Sequence, residues 1–355
     1  MTTSSGSQDR STRGTSLRTR RALAICVCCA VLLVVSVAVT VSIGPADVSL
    51  REVYGIIGQH LGLGTSSAGR LADGIVWQLR LPRALLAAVC GAGLALCGAI
   101  LQSLLRNPLA DPFVLGVSSG ASTGAVLVAV LGVGAGTLSL SGGAFLGAVL
   151  SFAAMLALAY GAGGTPDRVI LAGVACTQLF SALTSLIVLS SANAEQTRGV
   201  LFWLLGSLAG ASWTDVTVAA AVFGGGCVVC LWYSSTLDAF AFGSDAAAGL
   251  GVAVGRTRIV LLLVTAIVTA ALVSAAGAIG FVGLVLPHVA RFLVGPGHAR
   301  LLPVTVLIGA VFMVWADTVA RSVFGAREIP VGVVTALLGV PAFAILLARR
   351  RRQLA

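Results

Sequence analysis

Apolar runs about one bilayer thick recur along almost the whole chain, and this recurrence restricts the fold more than any other feature. They fall near 22–43, 84–105, 113–133, 142–161, 168–190, 214–233, 257–279, 281–295, 302–320 and 331–348. A membrane-spanning helix needs about 20 apolar residues. Charged residues make up only 10% of the chain, against about 25% in an ordinary soluble domain. The expectation is an all-α membrane protein of about ten transmembrane helices, occupying 22–348, with no room for a second soluble domain.

The net charge of +10 does not point to nucleic acid. All 22 basic residues are Arg and stand in short clusters between apolar runs, whereas a nucleic-acid groove gathers them on one continuous face. Basic residues concentrate in cytoplasmic loops. With ten spans and a cytosolic N-terminus, fifteen Arg fall inside and seven outside, so both termini are expected in the cytoplasm. The Ser/Thr/Arg-rich stretch 1–21 reads as a disordered cytosolic tail, and 349–355 as a basic one. The first apolar run, Ala22 to Ile43, exceeds a signal-peptide core of 7–15 residues and reads as a retained span.

The chain contains no Lys. A phosphate-binding P-loop needs one to reach the β- and γ-phosphates, so an ATP-driven process would take its energy from another polypeptide. The eight Cys all lie in apolar runs, where Cys behaves as a small hydrophobe. Cys227 and Cys230 form a C-x-x-C, but zinc requires further ligands. No metal or cofactor is expected.

Two loops are more than linkers. In 44–82, Ser49 to Glu52 has the capping-box pattern that starts a helix, expected to lie on the periplasmic face. The segment 234–256 is too polar to span and reads as two short cytosolic helices interrupted at Gly243 and at Gly249 to Gly251. Small residues let membrane helices approach closely, as expected for Gly91, Gly93, Gly277 and Gly280. Gly132, Gly134 and Gly136 follow a span rather than a strand, so a turn is expected there, not a phosphate loop. Ion-coupled carriers place titratable groups at mid-membrane, and the apolar runs hold almost none. Asp317 stands one helical turn before Arg321, where the two can pair. His288 and His298 lie at or in a loop.

Several blocks resemble the iron-siderophore and vitamin B12 permeases of binding-protein-dependent ABC importers. They are WQLRLPR (Trp77 to Arg83), the stretch from Cys90 to Ala121 with its N-P-L-A-x-P, and FWLLGSL (Phe202 to Leu208). They continue with GAIGFVGLVLPHVAR (Gly277 to Arg291), ADTVAR (Ala316 to Arg321) and the run from Ile329 to Leu347. The resemblance implies ten spans with an inverted five-helix repeat, as in the vitamin B12 permease. It also implies a cytosolic ABC ATPase, a periplasmic or lipid-anchored substrate-binding protein and a second permease subunit, identical or paralogous. The expected function is inner-membrane import of a ferric siderophore, with cobalamin or haem as alternatives and an ion-coupled secondary transporter disfavoured. The chain is not expected to be an enzyme.

The resemblance also implies site residues. Arginines matching Arg80, Arg83 and Arg321 look outward to glutamates on the two lobes of the binding protein, a task suited to the planar guanidinium fork. The loop 234–256 matches the coupling helices that press on the ATPase, with Asp245, Gly249, Leu250 and Gly251 as contacts. Arg291 and Arg106 are expected to brace the same inner face.

Overall fold

The computed structural model describes residues 5–44, 46, 48–64, 68–134, 137–191, 193–323 and 328–351. Residues 1–4 and 352–355 of the two tails, with Gly136 and Arg327, lie outside the described residues. Everything described is helix, turn or loop.

The chain opens with α1 (Ser5–Ser42), whose strongly apolar part is Arg20–Ser42. The helix thus takes in most of the segment read as a disordered tail; elongating an existing helix is far easier than nucleating one. Next, α2 (Leu50–His60) starts at the expected capping box. The Glu52 N–H donates to the Ser49 hydroxyl, and the Ser49 N–H donates back to the Glu52 carboxylate at 3.0 Å. Those bonds favour the charged carboxylate and hold its pKa below the usual range. His60 ends α2, lies 2.9 Å from Asp73 and stacks on Trp77.

A single helical segment then runs from Arg70 to Leu104, comprising α3 (Arg70–Asp73), a π-helical stretch (Gly74–Arg80) and α4 (Leu81–Leu104). The sequence suggested a start near 84, after Pro82. Pro82 has no N–H to donate, and the helix accommodates it by widening, the Leu81 N–H reaching back to the Val76 carbonyl.

Beyond a single turn at Pro112–Leu115 come α5 (Val117–Leu131), α6 (Leu140–Gly161), α7 (Pro166–Ser191), α8 (Ala194–Leu204) and α9 (Trp213–Trp232). The two short helices expected in 234–256 form as α10 (Ser234–Phe240) and α11 (Ser244–Gly249). They are separated at Gly243, whose φ of 104° suits glycine. The chain ends with α12 (Val254–Ala276), α13 (Val282–Val294), α14 (His298–Ser322) and α15 (Val331–Arg351).

Seven helical segments are long and apolar enough to cross a bilayer, and Val117–Leu131, Val282–Val294 and Val331–Ile345 are shorter apolar helices. Together they account for the ten apolar runs. At 13 and 15 residues, α13 and α5 reach only about 20 Å each. The irregular segments before them, 105–116 and 277–281, complete the path. Non-helical backbone is tolerated at membrane depth only where protein buries it, and Ala110, Asp111, Pro112, Leu115 and Ile279 are buried.

Neighbour relations repeat with a five-span offset. α4 packs on α13 and α14 as α12 packs on α5 and α6; α5 touches α6 and α7 as α13 touches α14 and α15. Copies offset by an odd number of spans must cross the membrane in opposite senses. Small residues make these contacts close. An added Cβ at Gly98 would stand 2.0 Å from the Gly283 carbonyl oxygen, and one at Gly91 would stand 2.1 Å from that of Gly309. Gly120 and Gly124 face Gly147 and Gly143 in the same way, one G-x-x-x-G against another. Cys90, Cys97, Cys176 and Cys230 are buried in this packing.

A Cβ at Gly147 would meet the Gly120 carbonyl at 2.2 Å, whereas at Gly225 it would meet nothing within 4 Å. Gly147→Leu is therefore expected to destabilise the α5–α6 contact by about 3 kcal/mol or more. Thermal unfolding in detergent should show the loss, with Gly225→Leu close to the parent.

Candidate functional site

Two polar constellations stand at opposite ends of the bundle. At the end where α1 finishes and α4 begins, the last carbonyls of α1 have no intrahelical donors. Two arginines supply them. Arg80 donates to the Val41 and Ser42 carbonyls at 3.2 and 3.4 Å and to that of Ala46. Arg321 donates to the carbonyls of Thr40 and Ile43. A cation here also complements the negative end of the helix dipole. Gly44 makes room, since a Cβ there would touch the Arg80 guanidinium at 2.7 Å.

Arg83 points the other way. Its Nε and Nη2 fork onto Asp317 at 2.9–3.0 Å, and Nη1 donates to both oxygens of Glu328 at 3.0 Å. Asp317 is almost wholly buried, and its second carboxylate oxygen lies 3.6 Å from Arg321 Nε. The Asp317–Arg321 pairing foreseen from their spacing is thus present, but Arg83 is the closer partner. Sequence separation of 234 residues hid that contact.

The three arginines expected to reach outward are turned inward here. Arg80 is 7% exposed, Arg321 9%, and the Arg83 side chain 13%. Their charge is spent on carbonyls and carboxylates within the chain, because an unpaired guanidinium at a span boundary loses hydration it must recover from protein groups.

At the opposite end, Asp245, Gly249, Leu250 and Gly251 come together on α11 and the turn after it, all exposed, Leu250 to 71%. Arg291 does not join them. It donates to Gln102 Oε1 from α13, and with Arg106 it lines a cavity of about 620 Å³ between α4, α10 and α13–α14. Arg106 has a left-handed φ of 49°, which the turn ending α4 requires.

Around this cavity the blocks Cys90 to Ala121 and Gly277 to Arg291 prove to be one unit. Gln102 Nε2 donates to the Gly283 and Leu284 carbonyls at 3.2 and 3.1 Å, and His288 Nε2 lies 3.0 Å from the Pro108 carbonyl. Asp111 accepts from the Phe113 N–H at 3.0 Å, while its other oxygen lies against Gly283 near the start of α13. A carboxylate suits a helix N-terminus. The same end holds a contact that sequence reasoning passed over. His298 Nδ1 is 2.6 Å from Asp238 Oδ1, and His298 Nε2 is 2.6 Å from Ser103 Oγ. Three residues spread over positions 103 to 298 leave no local pattern to find.

Residues 32–349 match the model of the FecCD transport family. The chain belongs to that family. It is 46% identical over 280 residues to the cobalamin import system permease protein BtuC of Halobacterium salinarum, covering 79% of this chain and 74% of that one. It is 39% identical to the hemin transport system permease protein HmuU of Yersinia pestis, over 78% of this chain and 84% of that one. The iron(3+)-hydroxamate import system permease protein FhuB of Bacillus subtilis is 35% identical, over 89% and 80%. Among solved structures, an inward-facing metal-chelate-type ABC transporter superposes with a TM-score of 0.80 at 32% identity, covering 92% of this chain and 99% of that one. The chain is accordingly a multi-pass membrane permease of the FecCD family, all-helical in fold.

Removing one partner of a buried ion pair costs about 3–5 kcal/mol, because the other charge is left uncompensated. Arg83→Ala is expected to lower permease stability by that order, and Arg83→Asp combined with Asp317→Arg to recover part of it. Melting curves of the purified permease, read without any binding protein, isolate this effect from docking.

Proposed function

We propose that this chain is the membrane-spanning half of an ATP-driven importer that carries a bulky metal chelate, first of all a ferric siderophore, across the inner membrane. The observation that carries the reading is the combined match, in sequence over 32–349 and in fold at a TM-score of 0.80, to permeases whose named systems import such compounds. The interior fits a passive path. Asp317 is buried with arginine partners, and a proton relay needs a chain of titratable groups.

A second reading, cobalamin as cargo, is favoured by one comparison: the BtuC of Halobacterium salinarum is 46% identical, against 35% for the ferric-hydroxamate permease. Both compounds are large chelates. Their selection would fall to a binding protein outside the membrane, so one permease architecture serves either.

The arginine distribution supports cytoplasmic termini, with α10 and α11 on the cytoplasmic side. The exposed Asp245, Gly249, Leu250 and Gly251 then form the surface on which a separate ABC ATPase would press. ATP hydrolysis belongs to that partner, consistent with the absence of Lys from this chain. A second permease subunit would complete the pathway. At the outer end, docking of the binding protein rests chiefly on Arg83. Its partner Glu328 is exposed, and a carboxylate from outside could take its place on the same fork. Arg80 and Arg321 would act from behind, holding α1.

Co-reconstitution of the permease with its ATPase and binding protein in proteoliposomes tests this. Uptake of ferrichrome, cyanocobalamin or hemin should require both ATP and the binding protein. Uptake driven by an ion gradient without ATP would make the chain a secondary carrier. Leu250→Asp should abolish co-purification of the ATPase while leaving the permease melting temperature unchanged.

A further inference from the structure

The short helix α10 is attached to the bundle in two ways. Leu237 and Phe240 are buried among core side chains that include Leu101, Leu104 and Leu302. Between them, Asp238 makes a polar connection. Its Oδ1 accepts the His298 backbone N–H at 2.9 Å and lies 2.6 Å from His298 Nδ1. The far side of the same ring, Nε2, lies 2.6 Å from Ser103 Oγ, and the Ser103 hydroxyl is 2.9 Å from the Ala99 carbonyl of its own helix. One imidazole therefore ties three elements together: α10, the first residue of α14 and the last turn of α4.

A helix cap alone would need only Asp238 and the backbone N–H. The ring continues the connection to α4, and it arrives where α4 is most rigidly held. Gln102, beside Ser103, binds the Gly283 and Leu284 carbonyls. Gly91 and Gly98 bring α4 into backbone contact with α14 and α13. A displacement of α10 is thus delivered to a stiff block of α4, α13 and α14.

On the other side of α10 the chain turns at Gly243, whose φ of 104° suits glycine. Next comes α11, which is tied elsewhere: Arg258 donates to the Ser244 hydroxyl and to the Gly164 carbonyl, each at 3.2 Å. Those contacts join α11 to α12 and to the turn after α6, and α12 and α6 correspond to α4 and α14 in the five-span repeat. The pair α10–α11 thus connects to both halves of the bundle through separate polar contacts, with a glycine between them.

We infer that Asp238, His298 and Ser103 form a latch that transmits movement of α10 to the α4–α13–α14 block and so couples ATP hydrolysis in a partner to opening of the path. The inference rests on the importer reading. His298 is a positioning residue, acting through the helices it joins. Rigid elements joined at a hinge are a common way to carry such motion.

The test uses the complete permease–ATPase–binding-protein complex in proteoliposomes, with ferrichrome, cyanocobalamin and hemin as probes. His298→Ala and Ser103→Ala should leave complex assembly and basal ATP hydrolysis near the parent values, while cargo carried per ATP falls by about tenfold, the scale of a typical coupling interaction. His298→Asn keeps an amide able to reach Asp238 but not Ser103, and should behave like Ser103→Ala. In the Ser103→Ala, Asp238→Asn pair, the double variant should lose no more coupling than the worse single one, since each breaks the same chain. The inference is overturned if cargo per ATP is unchanged, if the two single effects simply add, or if uptake falls only in step with melting temperature. Should Asp238→Asn fail to assemble, Ser103→Ala alone decides, because it removes one hydroxyl from the far end of the latch. Failure of the parent complex to take up any probe with ATP would count against the importer reading instead.

Discussion

The structure depends on backbone meeting backbone. α4 lies so close to α13 and α14 that neither Gly98 nor Gly91 could carry even a methyl group without striking a carbonyl oxygen. Lipid offers no hydrophobic drive to push helices together, so contact area and close approach must supply the attraction. The α5–α6 contact repeats the device through two facing pairs of glycines. From these contacts follow the placing of the irregular segments 105–116 and 277–281. Ala110, Asp111, Pro112 and Leu115 of the first and Ile279 of the second are buried in that packing.

Electrostatics then finish what close packing leaves open. The end of α1 would leave carbonyls without donors, and Arg80 and Arg321 reach across from α4 and α14 to bind them. Asp317 accepts from Arg83, joining the two helices that the glycines already bring together. At the other end Gln102 fastens the end of α4 to α13, and His288 of α13 holds the segment that follows α4. Among the described residues the ion pairs therefore stand where helices end. On the importer reading proposed above, such a bundle would be worked from its ends, at the exposed α10–α11 pair and the arginine cluster opposite.

Much of this was legible in the sequence, for identifiable reasons. Hydrophobic runs long enough to cross a bilayer disclose their helices without help from tertiary context. The Ser49–Glu52 box and the break at Gly243 are local patterns, and both appear where local reasoning put them. Pro82 misled, because a helix can widen around a missing donor instead of ending. The outer arginines were legible only in part. Their positions at span boundaries were plain, but a guanidinium's direction depends on which acceptors lie within reach, and those acceptors sit on α1 and α14, far away in sequence.

The sequence by itself determined that the chain lives in a membrane, where its apolar helices fall and which loops form helices. These are consequences of composition and short-range pattern, expressed within one helix or one loop. Only the tertiary structure decided that Arg83 belongs to Asp317, that the blocks Cys90 to Ala121 and Gly277 to Arg291 pack as one unit, and that Ser103, Asp238 and His298 share a single ring of contacts. Those pairings are set by helix-to-helix distance. That distance depends on which glycines face each other across the bundle, a relation no stretch of consecutive residues encodes.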